Sequence, residues 1–312
     1  MVAQKIGFLF PGQGAQYVGM GKDAADKFPA VKKLYDRADQ ILGIPLSRYC
    51  FEGPEETLTR TLYAQPAIFV TSLALFSLFQ EKFREIKPQL AAGLSLGEFS
   101  ALAACGSLSF SEGLTLVRIR AESMEKAASE NPGTMVSILG LNLEECTALA
   151  KESGAQLANL NAPDQFVLSG TEPSVSRAAE LADQMGAKRT LRLKVSGAFH
   201  SSLMEPARER FSEALKKVAF QKPKCLFIPN VTGTPETEPE KIRALLAEQL
   251  THPVRWIETI QNAKKQGIHH FVEPGPGRVL KGLAKRIDPA LEVLSFEKAA
   301  DLETLESALM KV

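Results

Sequence analysis

Short, continuously apolar runs alternate along the chain with longer stretches in which apolar residues recur every three or four positions. The runs at residues 5–10, 225–229, 268–272 and 291–296 predict buried strands, and the apolar approach to Gly93 reads the same way. Helical spacing occupies residues 21–42, 66–83, 111–128, 203–218, 240–250 and 254–265, then a stretch through Arg286 and a terminal helix. Residues 66–83 carry Ile68, Phe69, Leu73, Leu75, Phe76 and Phe79, which predicts a strongly apolar, central helix. Strands alternating with helices at this spacing imply a mostly parallel sheet covered on both faces.

The rhythm changes between residues 134 and 195. Extended runs at 134–140, 156–160, 165–170 and 188–195 enclose helical stretches at 142–151 and 173–185, in the order β-α-β-β-α-β. That order is the split unit of a ferredoxin-like domain. The predicted organisation is an α/β chain with a large unit at 1–127 and 198–312 and a small inserted unit at 128–197.

Composition narrows the function classes. A chain of 312 residues is long enough for a sizeable core and for two structural units. Its 37 basic and 36 acidic side chains leave a net charge of +1, so the overall balance gives no footprint for nucleic acid or an anionic membrane. Cys50, Cys105, Cys146 and Cys225 are widely spaced, which argues against a zinc cluster or a disulfide framework and fits a reducing cytoplasm. The first apolar run stops at Pro11, short of a signal-peptide core, and no later run is expected to span a membrane.

The candidate chemistry begins at Gly93-Leu94-Ser95-Leu96-Gly97, a Gly-x-Ser-x-Gly pentapeptide between a strand and a helix. Such spacing puts a serine on a sharp turn with its hydroxyl exposed at a helix N-terminus, as a nucleophile requires. A glycine-bracketed helix start with Ser95 as its cap satisfies the same pattern. Arg120 lies between Leu116 and Met124 on a helix, so an anion must face it, and either a structural glutamate or a ligand would serve. Arg118, with Glu122 four residues on, reads as a solvated ion-paired stripe. His200 sits in a glycine-containing loop before a helix, suited to act as base to Ser95, although a lone histidine also commonly makes a structural hydrogen bond. Pro11-Gly12-Gln13-Gly14 lacks both dinucleotide and P-loop spacing, which leaves Gln13 to line a pocket.

Together these segments resemble the malonyl-CoA:acyl-carrier-protein transacylase family over nearly the whole chain. The resemblance rests on residues 10–16, 93–98, Arg120, residues 161–165, Gly197-Ala198-Phe199-His200-Ser201, Gln249 and residues 273–277. It implies an α/β-hydrolase-like large subdomain with a ferredoxin-like insertion. It also implies Ser95 as nucleophile, His200 as general base held by the Gln249 carbonyl, and an oxyanion hole from the Leu96 and Gln13 N–H groups. Arg120 would hold the malonyl carboxylate, Asn161 would line the site, and Phe199 would disfavour an α-methyl branch. The implied partners are malonyl-CoA and a holo-acyl carrier protein, with no metal and no cofactor. The implied pathway is cytoplasmic fatty acid biosynthesis. One departure is Leu94, where the family usually carries histidine; similar leucine-containing elbows occur in stand-alone acyltransferases of polyketide synthases.

Two rivals remain at this level. An acyl-thioester hydrolase shares the elbow but expects an acid between serine and histidine and a histidine near the C-terminus. A non-catalytic carrier-docking subunit has no use for Ser95, His200 and Arg120 together.

Overall fold

The computed structural model describes residues 5–309. They form nine strands: β1 (Ile6–Phe10), β2 (Leu90–Gly93), β3 (Thr134–Leu139), β4 (Gln156–Ala162), β5 (Gln165–Gly170), β6 (Arg189–Arg192), β7 (Leu226–Phe227), β8 (His270–Pro274) and β9 (Glu292–Phe296). A five-stranded sheet in the order β7-β2-β1-β8-β9 is parallel at every pairing. A four-stranded sheet in the order β4-β5-β3-β6 is antiparallel throughout. This is the expected fold class, an α/β-hydrolase-like sheet with a ferredoxin-like layer inserted after β2. Parallel strands are covered on both faces, which is why β1 and β2 are buried at every residue and appear in the sequence as unbroken apolar runs.

The central helix is Thr61–Lys82, starting earlier than its periodicity predicts and carrying Pro66 inside it. Phe76 and Phe79 meet Phe8 edge-on at centroid distances of 5.1 and 5.2 Å, locking the helix onto β1. Contrary to expectation, this helix is long and apolar enough to cross a membrane. Its apolar window is nevertheless 78% buried inside the fold, as the core helix of a large domain is. The periodicity at 21–42 resolves into two helices, Lys22–Lys27 and Pro29–Leu42. Phe28 is extended before Pro29, whose ring disfavours helix at the preceding residue.

Two ties join the sheets. The Val254 N–H donates to the Ala158 carbonyl at 2.8 Å and the Leu160 N–H to the Val254 carbonyl at 2.9 Å, so β4 gains a parallel neighbour from the large unit. Arg286 donates to Asp164 at 2.7 Å and to Gln165 at 2.7 Å across the β4–β5 turn.

Beyond β8 the chain turns sharply beside the first loop. A Cβ on Gly275, at φ 149°, would fall 2.6 Å from Ser72 Oγ and 2.7 Å from Pro11 Cγ, so only glycine lets this turn pass. Glu273, fully buried, accepts from the Leu280 and Lys281 N–H groups at 2.8 and 2.9 Å and caps the helix Val279–Ile287. Glutamine offers one acceptor oxygen for these two donors. Glu273→Gln should therefore lower the unfolding free energy by about 1–3 kcal/mol. A chemical denaturation midpoint equal to that of the wild type would show that the first turn of the helix finds other acceptors.

Candidate active site

The elbow is built by backbone contact. A Cβ on Gly93 would lie 1.9 Å from the Gly97 carbonyl carbon, and one on Gly97 would lie 2.1 Å from the Phe10 oxygen. The pentapeptide's glycines are thus the only residues that let β2, the turn and the helix Gly97–Ala104 approach each other and β1 so closely. Between them Ser95 takes φ 53°, a left-handed conformation that a serine adopts only under constraint. Asn230 supplies it: its Oδ1 accepts the Ser95 N–H at 2.6 Å and its Nδ2 donates to the Gly93 carbonyl at 2.7 Å.

His200 also has positive φ, at 58°. Its Nε2 lies 2.8 Å from Ser95 Oγ and its Nδ1 lies 2.7 Å from the Gln249 carbonyl oxygen. A carbonyl can only accept, so Nδ1 carries the proton and Nε2 is left with a lone pair facing the serine hydroxyl. Burial lowers the His200 pKa to about 4, assisted by the charge of Arg120 and opposed by the Gln249 carbonyl. The ring is thereby neutral across the physiological range.

Arg120 is completely buried. Nη1 donates to Gln65 Oε1 at 2.8 Å, while Nη2 donates to Gln249 Oε1 at 2.8 Å and to Ser95 Oγ at 3.1 Å. Its Nε has no partner, and among the described residues no carboxylate forms an ion pair with it. Burial lowers the guanidinium to about 10, against the opposing charge of Glu98. Of the two possibilities left open by the sequence, a structural glutamate bonded to this arginine is absent among these residues. Arg118, by contrast, pairs with Glu122 at 2.8 Å on the surface, as its spacing predicts.

A cavity of about 380 Å³ opens onto the serine, lined by Gln13, Gln65, Leu94, Ser95, Met124, Met135, Asn159, Leu193, Lys194, Val195, Phe199 and His200 among others. Gln13, Leu94 and Ser95 come from the segments that follow β1 and β2, and Met135 on β3 and Asn159 on β4 from the antiparallel sheet. Gln13 is held by Thr61 Oγ1 at 3.1 Å and by Gln65 Nε2 at 3.3 Å. Among the described residues, neither the Gln13 nor the Leu96 N–H has an intramolecular acceptor, which leaves both available to an oxyanion. Leu94 is among the lining residues and brings no hydrogen-bonding side chain to the wall.

One expected position is displaced. Asn161 does not line the cavity, and Asn159, two residues earlier on β4, does. The β4–β5 register shifts between Leu160 and Ala162, a bulge that takes Asn161 out of the strand's alternation and leaves its Oδ1 buried without a partner. Gln65, Asn230, Glu98 and Asn159 were not singled out from the sequence. The contacts of Gln65, Asn230 and Glu98 are with residues remote in the chain, so no local pattern marks them. No group of three metal-ligating side chains occurs among the described residues. His270 lies on β8, with Nδ1 3.1 Å from Glu292 and away from the cavity.

The arrangement joins a serine to a neutral base, two free N–H donors, and a buried cation without a bonded counter-ion. The chain as a whole is similar to known proteins. The acyl transferase domain family matches residues 7–290. The malonyl CoA-acyl carrier protein transacylase of Bacillus subtilis (strain 168) is 45% identical over 312 residues, covering 98% of this chain and 96% of the relative. A polyketide biosynthesis malonyl CoA-acyl carrier protein transacylase of the same organism is 41% identical over 293 residues, covering 93% and 99%. A solved type II polyketide synthase acyl-carrier protein in complex with its malonyl-transacylase superposes with a TM-score of 0.93 at 38% identity, covering 99% of this chain and 100% of that one.

Proposed function

This chain belongs to the acyl transferase family of malonyl CoA-acyl carrier protein transacylases, and from that premise we propose that it moves malonyl groups from malonyl-CoA to the phosphopantetheine thiol of a holo-acyl carrier protein. The pathway in this reading is cytoplasmic fatty acid biosynthesis. The observation that carries the substrate class is Arg120, a buried guanidinium beside the serine with no protein carboxylate bonded to it.

In this reading Ser95 Oγ attacks the thioester carbonyl as its proton passes to His200 Nε2. Charge developing on the carbonyl oxygen is met by the Leu96 and Gln13 N–H groups. The carbon–sulfur bond then breaks, coenzyme A leaves with the proton from His200, and malonyl remains esterified to Ser95. In the second half the carrier thiol gives its proton to His200, its sulfur attacks the ester, and Ser95 Oγ departs with that proton. The Gln249 carbonyl holds the ring in one tautomer through both halves, so a dyad suffices without a triad carboxylate. Phe199, in the cavity wall, is placed to crowd an α-branch. The cycle needs no cofactor.

Arg120→Ala tests the substrate class. Two charge-assisted bonds to a malonyl carboxylate are lost, so kcat/KM for malonyl-CoA should fall on the order of 10²- to 10⁴-fold. Acetyl-CoA, which has no carboxylate, should lose nothing and gain where a buried cation had to be carried uncompensated. An unchanged malonyl-to-acetyl ratio in the variant would leave only a generic acyltransferase. A polyketide carrier is the second reading, favoured by Leu94 at the elbow and by the 41% identity to a relative named for that pathway.

A further inference from the structure

Among the described residues, Glu98 is the one buried carboxylate beside this site that the reaction above does not use. It sits in the first turn of the helix that follows Ser95, 1% exposed, and no ion pair joins it to Arg120. Its oxygens take two donors: the Asn230 N–H on Oε1 at 3.3 Å and the Gln249 side-chain amide on Oε2. Burial raises its pKa above the ordinary carboxylate range, and those two donations and the nearby guanidinium oppose the rise.

The chemistry of the neighbours fixes how these groups must face. Arg120 has donors only, so the atom of Gln249 that meets Nη2 at 2.8 Å must be the amide oxygen. Gln249 Nε2 then points away, towards the Ser95 carbonyl at 3.0 Å and towards Glu98. A group in the place of Glu98 that could donate would meet an N–H and favour the reversed amide. Reversal would turn an NH₂ onto Arg120, and donor against donor would push the guanidinium away.

We propose that Glu98 is a positioning residue for substrate selection: by accepting from the Gln249 amide it fixes the amide's direction, and through it the placement of Arg120. It acts without touching the arginine or the substrate. The arrangement explains why a buried guanidinium survives beside a buried carboxylate yet is not bonded to it. The carboxyl group stands one side chain away, bonded to Gln249 and not to Arg120, whose Nε has no partner. This inference rests on the reading of Arg120 as the malonyl clamp.

Glu98→Gln is the decisive variant, because it keeps shape and changes only what one end can do. The Asn230 N–H is fixed in the backbone and must keep an acceptor, so the new amide oxygen turns to it and the new NH₂ faces Gln249. Gln249 Nε2 then keeps only the Ser95 carbonyl as acceptor and meets a donor at 98, so the amide is pushed from its place and its contact with Arg120 weakens. Acyl-enzyme formation from malonyl-CoA and from acetyl-CoA would be followed by rapid quench and intact mass in wild type, E98Q, R120A and the double variant, with melting temperatures alongside. Losing one hydrogen bond to a charged group should lower the malonyl-to-acetyl ratio by about ten- to a hundredfold in E98Q. The loss should appear mainly in the malonyl reaction, and E98Q should add nothing further in the R120A background.

A wild-type ratio in folded E98Q, with the ratio collapsed in R120A, overturns the role of Glu98 and leaves the clamp standing. An equal further fall in the double variant overturns it too, since Glu98 would then act independently of Arg120. An unchanged ratio in R120A itself removes the clamp, and this inference with it. Should E98Q not fold, Gln249→Met deletes the relaying amide while keeping the backbone carbonyl that His200 uses. A collapsed ratio there supports the relay, and a wild-type ratio overturns it.

Discussion

Replacing His200 with alanine should slow malonyl-enzyme formation by on the order of 10⁴-fold or more, because one ring both activates the nucleophile and protonates the leaving thiolate. Its Nε2 is the only base within hydrogen-bond distance of Ser95 Oγ among the described residues, at 2.8 Å. The pH profile is the sharper signature. The wild-type ring stays neutral until about pH 4, so the acid limb of kcat/KM should lie near 4 and not near the ordinary imidazole value of 6.5. Arg120 is one cause of that depression, and a malonyl carboxylate paired with it removes much of the repulsion. With malonyl-CoA bound, the limb read from kcat should therefore move up relative to that of kcat/KM. Acid stability gives an independent reading. The unfolded chain takes up this proton near 6.5 and the folded protein only near 4, so the contribution of His200 to stability is complete above 6.5 and is lost as pH falls towards 4. His200→Ala should lose that part of the acid sensitivity. Wild-type acylation in the variant would place the base elsewhere.

Ser95→Ala should abolish the covalent adduct altogether. Intact mass after malonyl-CoA should show no gain, and transfer to a holo-carrier should fall by about 10⁴- to 10⁶-fold. The two variants differ in kind: without His200 the serine still acylates slowly, whereas without the hydroxyl there is nothing to acylate. The fold should survive, since Asn230 grips the backbone N–H of residue 95 and not its side chain. A malonyl mass gain persisting in Ser95→Ala would refute the nucleophile assignment.

The large sheet was legible because strands buried on both faces leave continuous apolar runs, and the small one because its β-α-β-β-α-β order is distinctive. Edges were less legible. β6 occupies only Arg189–Arg192 of the alternating stretch at 188–195, an exposed outer strand in which alternation outlasts pairing. Ser95, His200 and Arg120 stood out because local context made each of them odd: glycines around a serine, a histidine before a helix, an arginine among apolar neighbours. Asn230 and Glu98 could not stand out that way. Asn230 meets Ser95 across 135 positions and Gln249 meets Glu98 across 151, so their roles exist only once the chain is folded. Asn161 was expected in the wall from the resemblance carried by residues 161–165, and the register shift between Leu160 and Ala162 that sets it apart from Asn159 leaves no mark in the sequence.

Ser95 and His200 are the only residues other than glycine with positive φ among those described. A side chain in that region is disfavoured by about 1–2 kcal/mol relative to the ordinary helical conformation, and alanine would relieve none of it. Selection for thermostability alone would drift both positions towards glycine; only the demand for turnover holds a serine and a histidine there. A descendant released from that demand should therefore lose its chemistry before its architecture, leaving a sounder scaffold with glycines where the dyad had been.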